Sequence, residues 1–154
     1  MKPIIFESST RQSIVERVQR LNPDTKPNWG VMTVNQMLCH LSDNLRDMLK
    51  IRQTKPVVPG LLRPLVRLMV LTEKPWKPNS PTFKPYKQGE GGDGTPPTGF
   101  EADKTKLLEL LGEFSSKNAS FSFGPHAGLG NMNYDQRGYF MWKHFDHHLR
   151  QFGV

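Results

Sequence analysis

The sequence predicts an all-α protein, a helix bundle of four main amphipathic helices with one short extra helix and a long Pro/Gly-rich loop. Three observations predict it. Apolar residues recur at helical period in four separate segments. Two of those segments open on a capping-box pattern, Thr33 with Gln36 and Asn133 with Gln136. The helix breakers are collected in one region, with nine of the 13 prolines between residues 52 and 100. A chain of 154 residues suits one domain, spanning 1–154, around a single core.

Residues 1–6 read as a short extended segment. Ser9 or Thr10 is placed to cap a first helix running to Leu21, with Ile14, Val15, Val18 and Leu21 on one stripe. Asn22-Pro23-Asp24 stops it, and Lys26-Pro27-Asn28-Trp29-Gly30 continues a turn-rich connector. The second helix begins at Thr33 and carries Val34, Met37, Leu38, Leu41, Leu45, Met48 and Leu49 on its buried stripe, ending near Lys50 or Ile51. His40 lies on the flank of that stripe, in a row with Met37, Asn44 and Asp47.

A short third helix is expected over Leu61 to Leu71, where Leu61, Leu62, Leu65, Leu68 and Met69 recur at helical spacing and Pro64 fits the first turn. From about 72 to 99 the expectation is an irregular insertion, of a length usually either functional or wrapped on the surface. Glu101 to Lys117 reads as the next helix, with Leu107, Leu108, Leu110, Leu111 and Phe114 apolar and Glu101 and Asp103 near its positive end. Ala119 to Asn133 is a connector containing His126. The last helix, Tyr134 to Phe152, turns Met141, Phe145, Leu149 and Phe152 toward the core.

Composition narrows the function classes. No apolar run approaches the roughly 20 residues of a membrane span. The block Ile4-Ile5-Phe6 is too short for a signal-peptide core, so the expected location is cytoplasmic. A single cysteine excludes an internal disulfide and any multi-cysteine zinc site. The net charge of +7 raises a nucleic-acid partner, but the basic residues are spread along the chain and form no dense block. A solvated basic surface, or a pocket for an anionic substrate, accounts for them better.

The candidate chemistry is concentrated in the last helix. Three of the five histidines, His144, His147 and His148, lie there within five residues. His144 and His148 are i and i+4 on one flank of the buried stripe, about 95° and 55° from its centre, whereas His147 falls about 155° away. Two imidazoles so placed can hold one divalent metal and leave positions for another ligand and for water or substrate. The pair is not the zinc-peptidase motif, because Phe145 stands where that motif needs Glu. His40 is the natural third ligand, being the remaining histidine on a strong helix. Asp43 and Asp146 are candidate acceptors for an imidazole N–H. His126, in the glycine-containing connector, is a candidate substrate contact or proton carrier, and Asp43 and His147 are further pocket candidates. Cys39 reads as a small buried thiol, because adjacent helical residues do not face one another. The run Gly89-Glu90-Gly91-Gly92-Asp93-Gly94 matches a dinucleotide fingerprint by letter, yet follows no strand and opens no helix, so a flexible loop is expected.

The segments Trp29-Gly30-Val31-Met32 through Gln36-Met37-Leu38-Cys39-His40-Leu41, and Trp142-Lys143-His144-Phe145-Asp146-His147-His148-Leu149-Arg150-Gln151-Phe152-Gly153, resemble the DinB/YfiT-like superfamily of metal-dependent enzymes, within a branch of unknown function. The resemblance implies an up-and-down four-helix bundle, commonly a homodimer. It also implies a divalent zinc, nickel or iron ion held by three histidines, which by motif are His40, His144 and His148. Members of known activity include S-transferases in which the metal activates a low-molecular-weight thiol. The expectation is therefore an enzyme acting on a small molecule with an activated thiol. The rivals are a metal-dependent hydrolase and a non-enzymatic basic protein that binds nucleic acid or another anion.

Overall fold

The computed structural model describes residues 2–154. It holds five α-helices, α1 (Ser8–Arg20), α2 (Val34–Met48), α3 (Arg63–Val70), α4 (Phe100–Ser116) and α5 (Tyr134–Gln151), and no strand among the described residues. Single 3-10 turns lie at Gly60–Leu62 and Lys84–Tyr86. No described helix is long and apolar enough to cross a membrane.

Local chemistry sets the element boundaries. Both capping boxes form. Thr33 Oγ1 accepts from Gln36 N at 3.2 Å while Thr33 N donates to Gln36 Oε1 at 2.9 Å. Asn133 and Gln136 repeat the exchange at 2.8 and 3.1 Å. The first helix differs from expectation. Its N-cap is Glu7, and Ser9 and Thr10 lie inside its first turn. Thr10 Oγ1 instead donates to Glu7 Oε2, a local bond that competes with capping. At the start of α4 the Asp103 carboxylate accepts from Thr98 N, Thr98 Oγ1 and Gly99 N, so it binds the donors at the helix's positive end.

One apolar core links the elements. It runs from Ile5 through Ile14 and Val18, the α2 stripe, Leu107, Leu111 and Phe114 to Phe145 and Leu149. Helix α2 packs mainly on α4, and α1 on α5. Helix α5 is enclosed far beyond its apolar stripe, because the connectors as well as the helices cover it. Lys143, His147 and Gln151 are buried along with the core residues. Helix α3 forms where helical spacing placed it, with Pro64 in its first turn, but it buries no residue fully.

The stretch 72–99 is irregular, as expected, and it is tied down. Arg52 Nη2 donates to Pro85 O and Asp93 O at 2.8 and 3.0 Å. The Asp43 carboxylate accepts from Thr95 N and Thr95 Oγ1 at 2.7 and 2.6 Å. Within the glycine run, a Cβ on Gly92 would stand 2.0 Å from Lys87 O, so the run serves a tight turn.

Candidate metal centre

The structure brings His40 of α2 together with His144 and His148 of α5, and all three are buried. Each offers one ring nitrogen, and these nitrogens lie within 4.8 Å of one another. His40 Nε2 and His144 Nε2 are 2.8 Å apart. The rings of His40 and His148 are 4.8 Å apart, and those of His144 and His148 4.9 Å. Helical phase selects His144 and His148 in the sequence and His40 is the remaining histidine on a strong helix; the fold converges them across a separation of 104 positions between His40 and His144.

The hydrogen bonds behind the rings fix which nitrogens face inward. His40 Nδ1 lies 2.7 Å from Tyr86 O. A carbonyl only accepts, so Nδ1 carries the proton and the Nε2 of the neutral ring is bare. His148 Nδ1 lies 2.8 Å from Gln151 Oε1. The Gln151 amide is oriented by its other end, where Nε2 donates to Trp29 O at 2.8 Å. Its oxygen must therefore face His148, which makes Nδ1 the donor and leaves Nε2 bare there too. Imidazole N–H donated to a carbonyl behind the ring is the usual support of a metal-binding histidine. His144 Nδ1 is buried without a partner.

Electrostatics keep the cluster neutral. Burial lowers the pKa of His40, and lowers those of His144 and His148 well below the ordinary imidazole range, with neighbouring histidines adding to both. Two bare nitrogen lone pairs, on His40 and His148, beside the Nε2 of His144 in a site that resists protonation are suited to a cation with nitrogen affinity. The donor set therefore fits a divalent transition metal.

The remaining candidates have other roles. Asp43 does not reach an imidazole; it pairs with Arg46 and Arg52 at 3.0 and 2.9 Å and anchors Thr95. Asp146 pairs with Arg17 and Arg150, each at 2.9 Å. His126 is locked. Its Nδ1 accepts from Gly128 N and Leu129 N, so its Nε2–H donates to Asn44 Oδ1 at 3.2 Å. Burial pushes its pKa down to about 3, which leaves it neutral and without the free nitrogen a proton carrier needs. His147 is not turned to solvent as its phase implies. Trp29 and Trp76 cover it, with ring centroids 6.0 and 5.6 Å away, and its Nδ1 is buried without a partner. Cys39 is a buried thiol whose pKa burial raises to about 12, so it is no nucleophile at neutral pH.

Three contributors were absent from the sequence reading. Tyr86 holds His40 through a backbone carbonyl, and no side-chain pattern announces that. Gln151 lies three residues after His148, a helical neighbour whose amide was a readable signal. Trp76 lies 5.6 Å from the rings of both His144 and His147, and it comes from the irregular stretch. Comparison of the chain with protein-family models, with curated proteins and with solved structures yields no match.

Proposed function

We propose that this chain is a divalent-metal-dependent enzyme of the DinB/YfiT-like type, with α1, α2, α4 and α5 as an up-and-down four-helix bundle and His40, His144 and His148 as the metal ligands. The observation that carries the reading is the pair of carbonyl-held rings. Tyr86 O and Gln151 Oε1 leave His40 Nε2 and His148 Nε2 bare beside His144. When bound, a zinc, nickel or iron ion supplies Lewis acidity that lowers the pKa of a thiol or of water at neutral pH. Three protein ligands leave such a site open to a further group.

The chain's own residues shape the rest. Trp76 stands over His144 and His147, and Trp29 over His147, so aromatic rings line the histidine cluster. The reaction we assign is transfer of a low-molecular-weight thiol to an electrophilic small molecule. Many cations of this basic chain are bonded to its own backbone. Arg137 donates to Met132 O and Gly124 O, Lys104 to Gln19 O and Leu21 O, and Lys143 to Val70 O and Thr72 O. That use of charge favours a small-molecule site over a polyanion-binding face.

Elemental analysis of the purified protein, followed by metal titration of chelator-treated protein, tests the proposal. One divalent ion per chain is expected, lost in His40→Ala and His148→Ala while helical content persists. Protein that holds no metal and takes up none would overturn it. Given metal, turnover of an electrophile that requires added thiol supports transfer, and thiol-independent hydrolysis replaces transfer with the hydrolase reading.

A further inference from the structure

Two of the three candidate ligands have a carbonyl oxygen behind the ring, and the third does not. His40 Nδ1 meets Tyr86 O and His148 Nδ1 meets Gln151 Oε1, whereas His144 Nδ1 is buried without a partner. Among the described residues, the buried side-chain nitrogens without a partner also include His147 Nδ1 and Trp29 Nε1, so three of them belong to rings of this one cluster. His147 stands to His144 as Gln151 stands to His148, three residues further along α5. Side chains at that spacing are neighbours on a helix surface. His144 and His147 also lie under the same indole, each ring 5.6 Å from that of Trp76, and the two residues are only 5% and 6% exposed.

The ring proton of His144 says what kind of group must stand behind it. His40 Nε2 is bare, so in the 2.8 Å contact between the two rings His144 Nε2 donates and His144 Nδ1 is an acceptor. To act as a ligand through Nε2, the same ring must carry its proton on Nδ1, which is then a donor. The partner of His144 therefore has to serve a bare nitrogen in one tautomer and an N–H in the other. A carbonyl only accepts and cannot do both, whereas a water molecule can.

We infer that His147 is the positioning residue of His144, its Nδ1 joined to His144 Nδ1 by one bound water beneath Trp76. When His144 Nδ1 carries the proton, it donates to the water, and the water donates to His147 Nδ1, whose own ring proton is on Nε2. When His144 Nδ1 is bare, the water donates one hydrogen to each ring. Two polar partners are enough to hold a buried water. The arrangement gives the third ring the support that Tyr86 O and Gln151 Oε1 give the other two. Its effect on metal affinity rests on the metal reading, but the pairing of the two Nδ1 atoms does not.

Two readouts test it, one with zinc and one in metal-free protein. His147→Phe keeps an aromatic ring beside Trp29 and Trp76 but has no nitrogen. His147→Asn restores an acceptor, because its Oδ1 leaves Cγ as Nδ1 does in histidine. In chelator competition His147→Phe is expected to bind zinc about tenfold more weakly than the wild type, and His147→Asn to recover most of that loss, with helical content unchanged in both. In two-bond proton–nitrogen spectra of the metal-free protein, the His144 Nδ1 resonance should move in His147→Phe and return toward its wild-type position in His147→Asn. Wild-type zinc affinity in His147→Phe, or an equal loss in both variants, overturns the inference. So does a His144 Nδ1 resonance that His147→Phe leaves unmoved. A wild type that takes up no zinc defeats the metal reading alone, and the metal-free spectra then decide the pairing.

Discussion

Gln151 shows how much of this site rests on single hydrogen bonds. Its amide links Trp29 O to His148 Nδ1, and both ends are needed, since the donor end orients the acceptor end. Replacing it leaves His148 free to rotate and to change tautomer. Gln151→Ala is therefore expected to weaken metal binding roughly 10–100-fold, as loss of a partner behind a metal-binding histidine generally does. Gln151→Glu keeps an acceptor for His148 and should recover part of the loss. Competition against a chelator measures both, and wild-type affinity in Gln151→Ala would contradict the orientation argument. Gly30 belongs to the same unit. Its φ of 79° disfavours a side chain, and an added Cβ would stand 2.7 Å from Gln151 Nε2. Gly30→Ala should thus reproduce the metal defect of Gln151→Ala although it touches no ligand.

Among the elements, the irregular stretch 72–99 carries more of the site than either of its flanking helices. Tyr86 contributes twice. Its carbonyl orients His40, while its hydroxyl donates to Asp47 Oδ2 at 2.7 Å and accepts from Ala127 N at 3.1 Å. Tyr86→Phe separates the two roles. It leaves Asp47 and the Ala127 amide short of a partner, costing about 1–3 kcal/mol in urea denaturation, but it retains the carbonyl and so the metal affinity. A fall in affinity matching the fall in stability would show that the carbonyl alone does not set the His40 ring. Trp76 is held by Nε1 donating to Val70 O at 2.9 Å and stands over His144 and His147. Trp76→Ala should speed loss of bound metal to a chelator, read by stopped flow, with little change in helical content.

These elements also mark how far the sequence could be read. Period and capping chemistry are local, so the helices, both capping boxes and the phase of His40, His144 and His148 were legible. What phase cannot supply is the surroundings. Phase puts His147 away from the apolar stripe, yet two tryptophans from connectors cover it. Asp43 reads in the sequence as an acceptor for an imidazole N–H, but Arg46, Arg52 and Thr95 take up its oxygens. The apolar spacing of α3 announced a helix without saying that its outer face stays open. Backbone acceptors such as Tyr86 O leave no trace in residue identity.

For the whole molecule, the five histidines act together on stability. All are buried and all have lowered pKa values, with burial as the leading cause in each. In the unfolded chain each titrates near 6.5 (~6.5). Below that pH the unfolded state takes up protons that the folded state refuses, so folding loses about 1.4 kcal/mol per pH unit for each imidazole that stays neutral. The contribution is complete above ~6.5 and declines as pH falls toward the folded values, which for His126 means down to about 3. Asp47 works in the opposite sense, because burial raises its pKa above the ordinary carboxylate value, but it is one group against five. The urea midpoint of metal-stripped protein should therefore drop steadily from pH 7 to pH 5. Saturating metal should raise the midpoint across this range without steepening the drop, since the ion binds rings that are already neutral in the folded state. A midpoint that stays level across this range would mean that the histidines are protonated in the folded state, and the neutral, cation-seeking cluster on which the metal reading depends would not exist.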